Sequence, residues 1–113
     1  MARLAFGQGM YRQTCFHAHL AVEKALKALL LVRRDTYPPT RSLEYLLAFD
    51  TSDELREWEE VCQRLSRFYL ATRYVDALPE GVMDEISDED ARTSLSDAEN
   101  VVSSIRSRVT GQP

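Results

Sequence analysis

The sequence lacks the features of a membrane-spanning or exported protein. Its longest aliphatic run, residues 28–32, ends at Arg33 and is far shorter than the about 20 residues that cross a bilayer. The first fifteen residues include Arg3, Gln8 and Arg12, so they contain no apolar signal-peptide core. We therefore expect a cytoplasmic protein with no membrane contact.

Cysteine and histidine are also scarce, which argues against a disulfide framework and a metal centre. Cys15 and Cys62 are the two cysteines, and both fall on apolar helical stripes, as reduced core residues do. His17 and His19 are the two histidines, and on a helix they point about 200° apart, so they cannot share an ion. No glycine-rich phosphate loop or zinc motif occurs. The sequence predicts no metal and no cofactor.

An excess of basic residues is missing as well. The net charge is −4 and the pI is about 5.2. A protein that holds long duplex DNA by neutralising phosphates usually carries a basic surface. Any contact with nucleic acid must therefore be local, and we expect no binding of long duplex DNA.

The sequence does contain apolar residues that recur with the period of an α-helix. Long helices are predicted over residues 10–34, from Asp53 to Thr72 after a Thr51–Glu54 capping box, and from a Ser87 cap to about residue 110. A short helix over residues 41–49 is capped by Thr40, and Pro79 and Gly81 mark a loop before the last helix. The predicted fold is all-α: an antiparallel, up-and-down bundle of four to five helices in a single domain, residues 1–113.

The inward-facing residues recur at steps of three and four. The third helix carries such a stripe in Leu55, Trp58, Cys62, Leu65 and Tyr69. The last helix carries one in Ala91, Leu95, Ala98, Val102, Ile105 and Val109. The first long helix has a core stripe, from Tyr11 to Leu29, and a second apolar strip on its opposite face. That second strip consists of Leu20, Ala21, Ala28 and Leu31. Another helix or a second copy of the chain must cover it, and we predict a homodimer.

Polar residues on the long helix form two further strips. One joins Arg12, His19 and Glu23, and the other joins Gln13, His17 and Lys24. The simplest interpretation is a surface pair between Glu23 and Lys27, with half-buried histidines that form hydrogen bonds.

The order of residues in this helix resembles the HEPN family. Residues 16–30, FHAHLAVEKALKALL, are similar to the family's FHAQQAAEKALKALL. Residues 40–43 (TRSL) stand where the family has Thr-His-Asp-Leu, and residues 73–76 (RYVD) stand where it has Arg-Tyr-Pro-Asp. The order matches from about residue 2 to residue 110. Leu20, Arg41 and Ser42 depart from the family pattern.

The resemblance implies a bundle that often dimerises and that acts on or binds nucleotides or RNA. Many HEPN proteins pair with a minimal nucleotidyltransferase, frequently as a toxin–antitoxin couple. The resemblance also implies that residues 1–6 are the tail of a first helix whose beginning is missing, so we expect either a true start upstream of Met1 or a trimmed sequence. Other HEPN proteins are metal-independent ribonucleases that use an Arg, four to six spacer residues and a His.

No histidine follows His19, which disfavours the ribonuclease. Arg12 and His17 have the right separation but lie about 140° apart on a helix. We therefore predict no catalytic residue, and a module that binds a nucleotide or short RNA or serves a nucleotidyltransferase. The predicted ligand residues are His17, Lys24, Arg73 and Tyr74. The alternatives are a metal-independent endoribonuclease and a purely structural dimerisation domain.

Overall fold

A computed structural model describes residues 11–50, 53–73 and 87–110. These residues form four α-helices and no strand: α1 (Tyr11–Arg34), α2 (Leu43–Phe49), α3 (Glu59–Arg73) and α4 (Asp88–Thr110). A 3-10 helix (Asp53–Trp58) leads directly into α3. The all-α bundle predicted from the sequence is confirmed. None of the described helices is long and apolar enough to cross a membrane.

The three long helices alternate in direction. The Cys15 thiol donates to the Ser94 hydroxyl at 3.4 Å, and Tyr11 is hydrogen-bonded to Asp88. The two contacts follow the same order along both helices, so α1 and α4 run parallel. Arg108, near the end of α4, lies 2.6 Å from Glu57, just before α3 begins. Therefore α3 runs antiparallel to α4, and it is also antiparallel to α1. The helix order is up, down, up.

The core lies between α1, α3 and α4, with α2 closing one end. Its buried members are mostly aliphatic, with Cys62 and Trp58 among them. The inward stripes of the first and third helices are confirmed, since Val22, Leu26, Leu29, Leu55 and Leu65 are buried. Burying an aliphatic side chain of this size contributes about 1.5–3 kcal/mol.

The stripe predicted for the last helix is partly wrong. Val101 is buried instead of Val102, and Val109 is 36% exposed. The physical reason is that α4 packs between α1 and α3, so its core face runs through Ser94, Ala98, Val101 and Ile105. Val102 lies at the side of this face, next to α1.

The helix starts differ from the predictions in two places. Ser42, rather than Thr40, caps α2, because its hydroxyl accepts from the Tyr45 amide at 3.2 Å. Thr40 instead accepts from the Ser42 amide at 3.1 Å. The third helix begins at Glu59 after a 3-10 turn, and not at Asp53.

The cap of the last helix is confirmed. The Asp90 amide donates to the Ser87 hydroxyl at 3.0 Å, and the Ser87 amide donates to the Asp90 carboxylate at 3.3 Å. This reciprocal pair is the capping-box arrangement. Several predicted features lie outside the described residues: the tail of a first helix (residues 1–6), Thr51 of the other capping box, and the Pro79–Gly81 loop.

One buried carboxylate ties α1 to α2. Asp50, directly after α2, accepts from Arg33 at 2.7 Å and from Arg34 at 2.9 Å. Its side chain is completely buried, while both guanidinium groups reach solvent. Asp35 follows α1 in the left-handed region, with φ of 63°, and so ends the helix. The two arginines at the end of α1 therefore anchor the turn toward α2.

Candidate ligand-binding groove

A groove of about 540 Å³ runs between α1 and α4, on the side of the bundle away from α3. Its walls combine small or apolar side chains with a few charged and hydroxyl groups. The lining residues are His17, Ala18, Leu20, Ala21, Lys24, Leu95, Ala98, Glu99, Val102, Ser103 and Arg106. Pockets of roughly 300–1,000 Å³ are typical of small-molecule sites.

The α1 wall contains Leu20 and Ala21 of the second apolar strip, with His17 at one end and Lys24 at the other. His17, Leu20, Ala21 and Lys24 recur at i, i+3, i+4 and i+7, which places them on one face of the helix. Leu20 is half-buried, whereas Ala21 and Lys24 are exposed. Farther along the same face Leu31 is 47% exposed. No helix in the described part of the chain covers this strip.

The α4 wall was missed by the sequence reasoning. Glu99, Val102, Ser103 and Arg106 recur at the same i, i+3, i+4 and i+7 spacing. Glu99, Ser103 and Arg106 are exposed, and Val102 is half-buried. The equal spacing of the two stripes was visible in the sequence. What was not visible is that α1 and α4 lie side by side, since they are separated by more than fifty residues.

The structure brings together two of the four predicted ligand residues. His17 and Lys24 line the same groove. The side chain of Arg73 and all of Tyr74 lie outside the described residues. Tyr69, one turn before Arg73, stacks on His19, and His19 points about 200° away from His17 around α1. The described end of α3 therefore packs against another side of α1 from the groove.

A second polar cluster is buried between α1 and α3. His19 is 1% exposed and Glu23 is 7% exposed. The His19 Nδ1 and Glu23 Oε1 atoms are 3.9 Å apart, too far for a hydrogen bond, and neither has a hydrogen-bond partner among the described residues. The Tyr69 ring stacks on the imidazole with 3.9 Å between centroids. The predicted pair between Glu23 and Lys27 forms, and His17 is half-buried as predicted. His19 and Glu23 are instead buried, because Tyr69 covers this side of the helix.

Burial controls the charge of His19. Desolvation lowers its pKa to about 4, against a smaller raising effect of the Glu23 carboxylate and then of Glu44. The imidazole is neutral at pH 7. Lys27 lies 3.1 Å from Glu23 Oε2 and balances the charge of that carboxylate. Because His19 and Glu23 are shielded from solvent, they do not present a general base to a substrate.

The cysteines behave as the sequence predicts. Both are reduced and buried. Burial raises the pKa of the Cys62 thiol to about 12 and also raises that of Cys15, so neither forms a thiolate readily. Within the described ranges, no three His, Cys, Asp or Glu side chains are grouped as metal ligands would be.

Comparison with known proteins gives one family. The family model of the HEPN domain matches residues 1–108 of the 113-residue chain. No curated protein and no solved structure gives a significant match. The match covers the signature of residues 16–30 and both of the later motifs from which the resemblance was drawn. The chain therefore belongs to the HEPN domain family.

Proposed function

We propose that this HEPN protein binds a nucleotide or a short RNA in the groove between α1 and α4. The observation that carries the proposal is that His17 and Lys24 face one groove with an apolar floor. Family membership supports a module related to nucleotides or RNA. Lysine provides a point charge for phosphate, and an apolar floor accommodates a base.

The charge of the groove differs from that of the whole chain. Lys24 and Arg106 face a single carboxylate, Glu99, whereas the chain as a whole has a net charge of −4. Phosphate is therefore attracted locally, while a long polyanion is repelled by the remaining surface. This charge distribution favours a mononucleotide or short single strand over long duplex DNA.

Arg73 and Tyr74 remain proposed ligand residues. Both occupy positions that match the family's Arg-Tyr-Pro-Asp motif, and their side chains suit phosphate binding and base stacking. They would extend the contact of a short RNA beyond the groove.

The proposal includes protein partners. The exposed apolar strip of α1 supports a homodimer, since Leu31 in the strip and Val32 beside it are both about half exposed. A minimal nucleotidyltransferase is the proposed second partner, in an arrangement of the toxin–antitoxin type. The cytoplasmic location expected from the sequence stays a prediction.

The same exposed strip favours a second candidate function, a structural dimerisation domain without a ligand. A ribonuclease has less support: the chain contains no histidine after His19, which is buried and neutral.

Titration with AMP and with a short single-stranded RNA, followed by NMR chemical shifts, tests the proposed function. We expect shifts in the amides of α1 around His17 and Lys24. Lys24→Ala should weaken binding roughly tenfold, since a hydrogen bond to a charged group contributes about 1.5–3 kcal/mol. Lys27→Ala is the matched control, because Lys27 lies one turn away, binds Glu23 and does not line the groove.

The possible outcomes separate the two candidate functions. Equal affinity of folded Lys24→Ala and parent protein would show that the groove is not the site. Absence of binding for both ligands at millimolar concentration would leave the structural dimerisation domain as the better description.

A further inference from the structure

The two walls of the groove carry their charges in the same order. Each stripe ends on a cation, Lys24 in α1 and Arg106 in α4, seven residues after His17 and Glu99 respectively. Because α1 and α4 are parallel, both cations lie at the same end. In an antiparallel pair, the same stripes would have placed the two cations at opposite ends. The groove is therefore electrically polarised along its length.

The contact between Cys15 and Ser94 sets the register of the two walls. Both helices rise by the same distance per residue, so residues at equal separations from Cys15 and Ser94 lie at the same level. Ser103 is therefore level with Lys24, and Glu99 is level with Leu20. Arg106 lies three residues, about 4.5 Å, beyond that level. One end of the groove thus holds Lys24, Ser103 and Arg106, while Glu99 lies near the middle.

Each part of the groove has a distinct binding chemistry. A lysine, a serine hydroxyl and an arginine fork together suit a phosphate group. A glutamate carboxylate is an acceptor only, so it selects a group with hydroxyl donors. The His17 ring, at the opposite end from the cations, can stack on a flat base. Between these groups Leu20, Ala21 and Val102 provide an apolar floor.

We propose that the groove binds a ribonucleoside monophosphate, or the 5′-terminal nucleotide of an RNA, in one orientation. The phosphate lies at Lys24, Ser103 and Arg106, the ribose hydroxyls lie beside Glu99, and the base extends toward His17. The distance from Lys24 to His17 is about 10 Å along the helix, which matches one nucleotide in length. This inference rests on the proposed function and adds the orientation of the ligand and the roles of Ser103, Arg106 and Glu99 in α4.

Calorimetry with AMP and with adenosine tests the phosphate end. Arg106→Ala should weaken AMP binding roughly tenfold and leave adenosine binding unchanged, because a charge-assisted contact to phosphate is lost. Ser103→Ala should act in the same direction with a smaller effect. Arg67→Ala is the control, since Arg67 is exposed on α3, beside the Phe68 ring and away from the groove.

Sugar selectivity tests the orientation. The parent protein should bind AMP several-fold more tightly than its 2′,3′-dideoxy analogue, because Glu99 accepts from the hydroxyls. Glu99→Ala should remove this preference. Circular dichroism checks the fold of each variant, and Arg106→Glu provides a second substitution at an exposed position.

The outcomes distinguish this inference from the proposed function on which it rests. If AMP binds and Lys24→Ala weakens it, while Arg106→Ala and Glu99→Ala bind like the parent, the assignment of α4 is wrong and the proposed function stands. If neither AMP nor RNA binds the parent protein, both fail.

Discussion

At the scale of single residues, His19 illustrates how a polar strip of α1 is buried by another helix. The sequence placed His19 and Glu23 on one polar strip, four residues apart, which the helix confirms. It could not show that the strip is buried, because Tyr69, fifty residues later, stacks on it. A period within one helix reveals which residues share a face, but the partner of that face depends on tertiary packing.

Neutral His19 makes the stability of the fold depend on pH. Its pKa is about 4 in the folded state and about 6.5 in an unfolded chain, so the unfolded state binds more protons between these values. This contribution to stability is fully present above about pH 6.5 and is lost as the pH falls toward 4. From pH 7 to pH 5 the free energy of unfolding should fall by about 2 kcal/mol on this account.

Urea unfolding of the parent and of His19→Gln at both pH values measures this contribution. The variant should lose most of the pH dependence, although its stability at pH 7 is also lowered. His17→Gln serves as the control, because it removes the half-buried neighbouring histidine and leaves His19 in place. An unchanged pH dependence in His19→Gln would mean that another group titrates in this window.

At the scale of the elements, the sequence predicted the presence and the buried faces of the helices better than the residues at which they begin. The apolar stripes of α1 and α3 were predicted correctly, because each helix buries one continuous face. The cap of α2 was predicted at Thr40 and is Ser42 in the structure. The start of the predicted third helix is a 3-10 helix in the structure. Neighbouring threonine and serine residues are both able to cap, so local chemistry does not decide between them.

The link from α1 to α2 depends on Asp50. Its buried carboxylate pairs with both Arg33 and Arg34 at the end of α1. Asp50→Ala should destabilise the protein by about 2 kcal/mol, since charge-assisted hydrogen bonds are lost. The cost is below that of a fully buried pair because the arginines regain water. Urea unfolding at pH 7 measures the loss.

A matched control uses the exposed pair Glu60–Arg64, in which Glu60 is 86% exposed at 3.5 Å from the guanidinium. Glu60→Gln should change stability little, because an exposed ion pair contributes weakly and Arg64 also binds Asp97. If Asp50→Ala were no more destabilising than Glu60→Gln, the anchor would have no energetic importance.

At the scale of the whole molecule, α1 keeps one face without a partner in the described chain. The sequence identified this strip and offered two solutions, another helix or a second copy. The described residues leave it open at Ala21, Ala28 and Leu31. Part of the strip forms one wall of a groove because α4 lies beside α1. This arrangement is not encoded in any local sequence pattern.

We expect a homodimer that buries the exposed end of this strip. Light scattering of the parent protein should give twice the monomer mass, and Leu31→Glu should shift it to the monomer by placing a charge in an apolar contact. Tyr45→Glu is the control, because Tyr45 is similarly exposed on α2. A monomeric parent protein at high micromolar concentration would remove the prediction.

The pairing of α1 with α4 also has a consequence for how the chain folds during synthesis. α1 packs most extensively on α4, and the contact from Cys15 to Ser94 spans 79 residues. The ribosome therefore releases α1 long before its main partner exists, and contacts this distant in sequence form slowly. Until α4 emerges, the face of α1 that includes Cys15 and Ala18 lacks its main partner, and we expect the nascent chain to need a chaperone most in this interval.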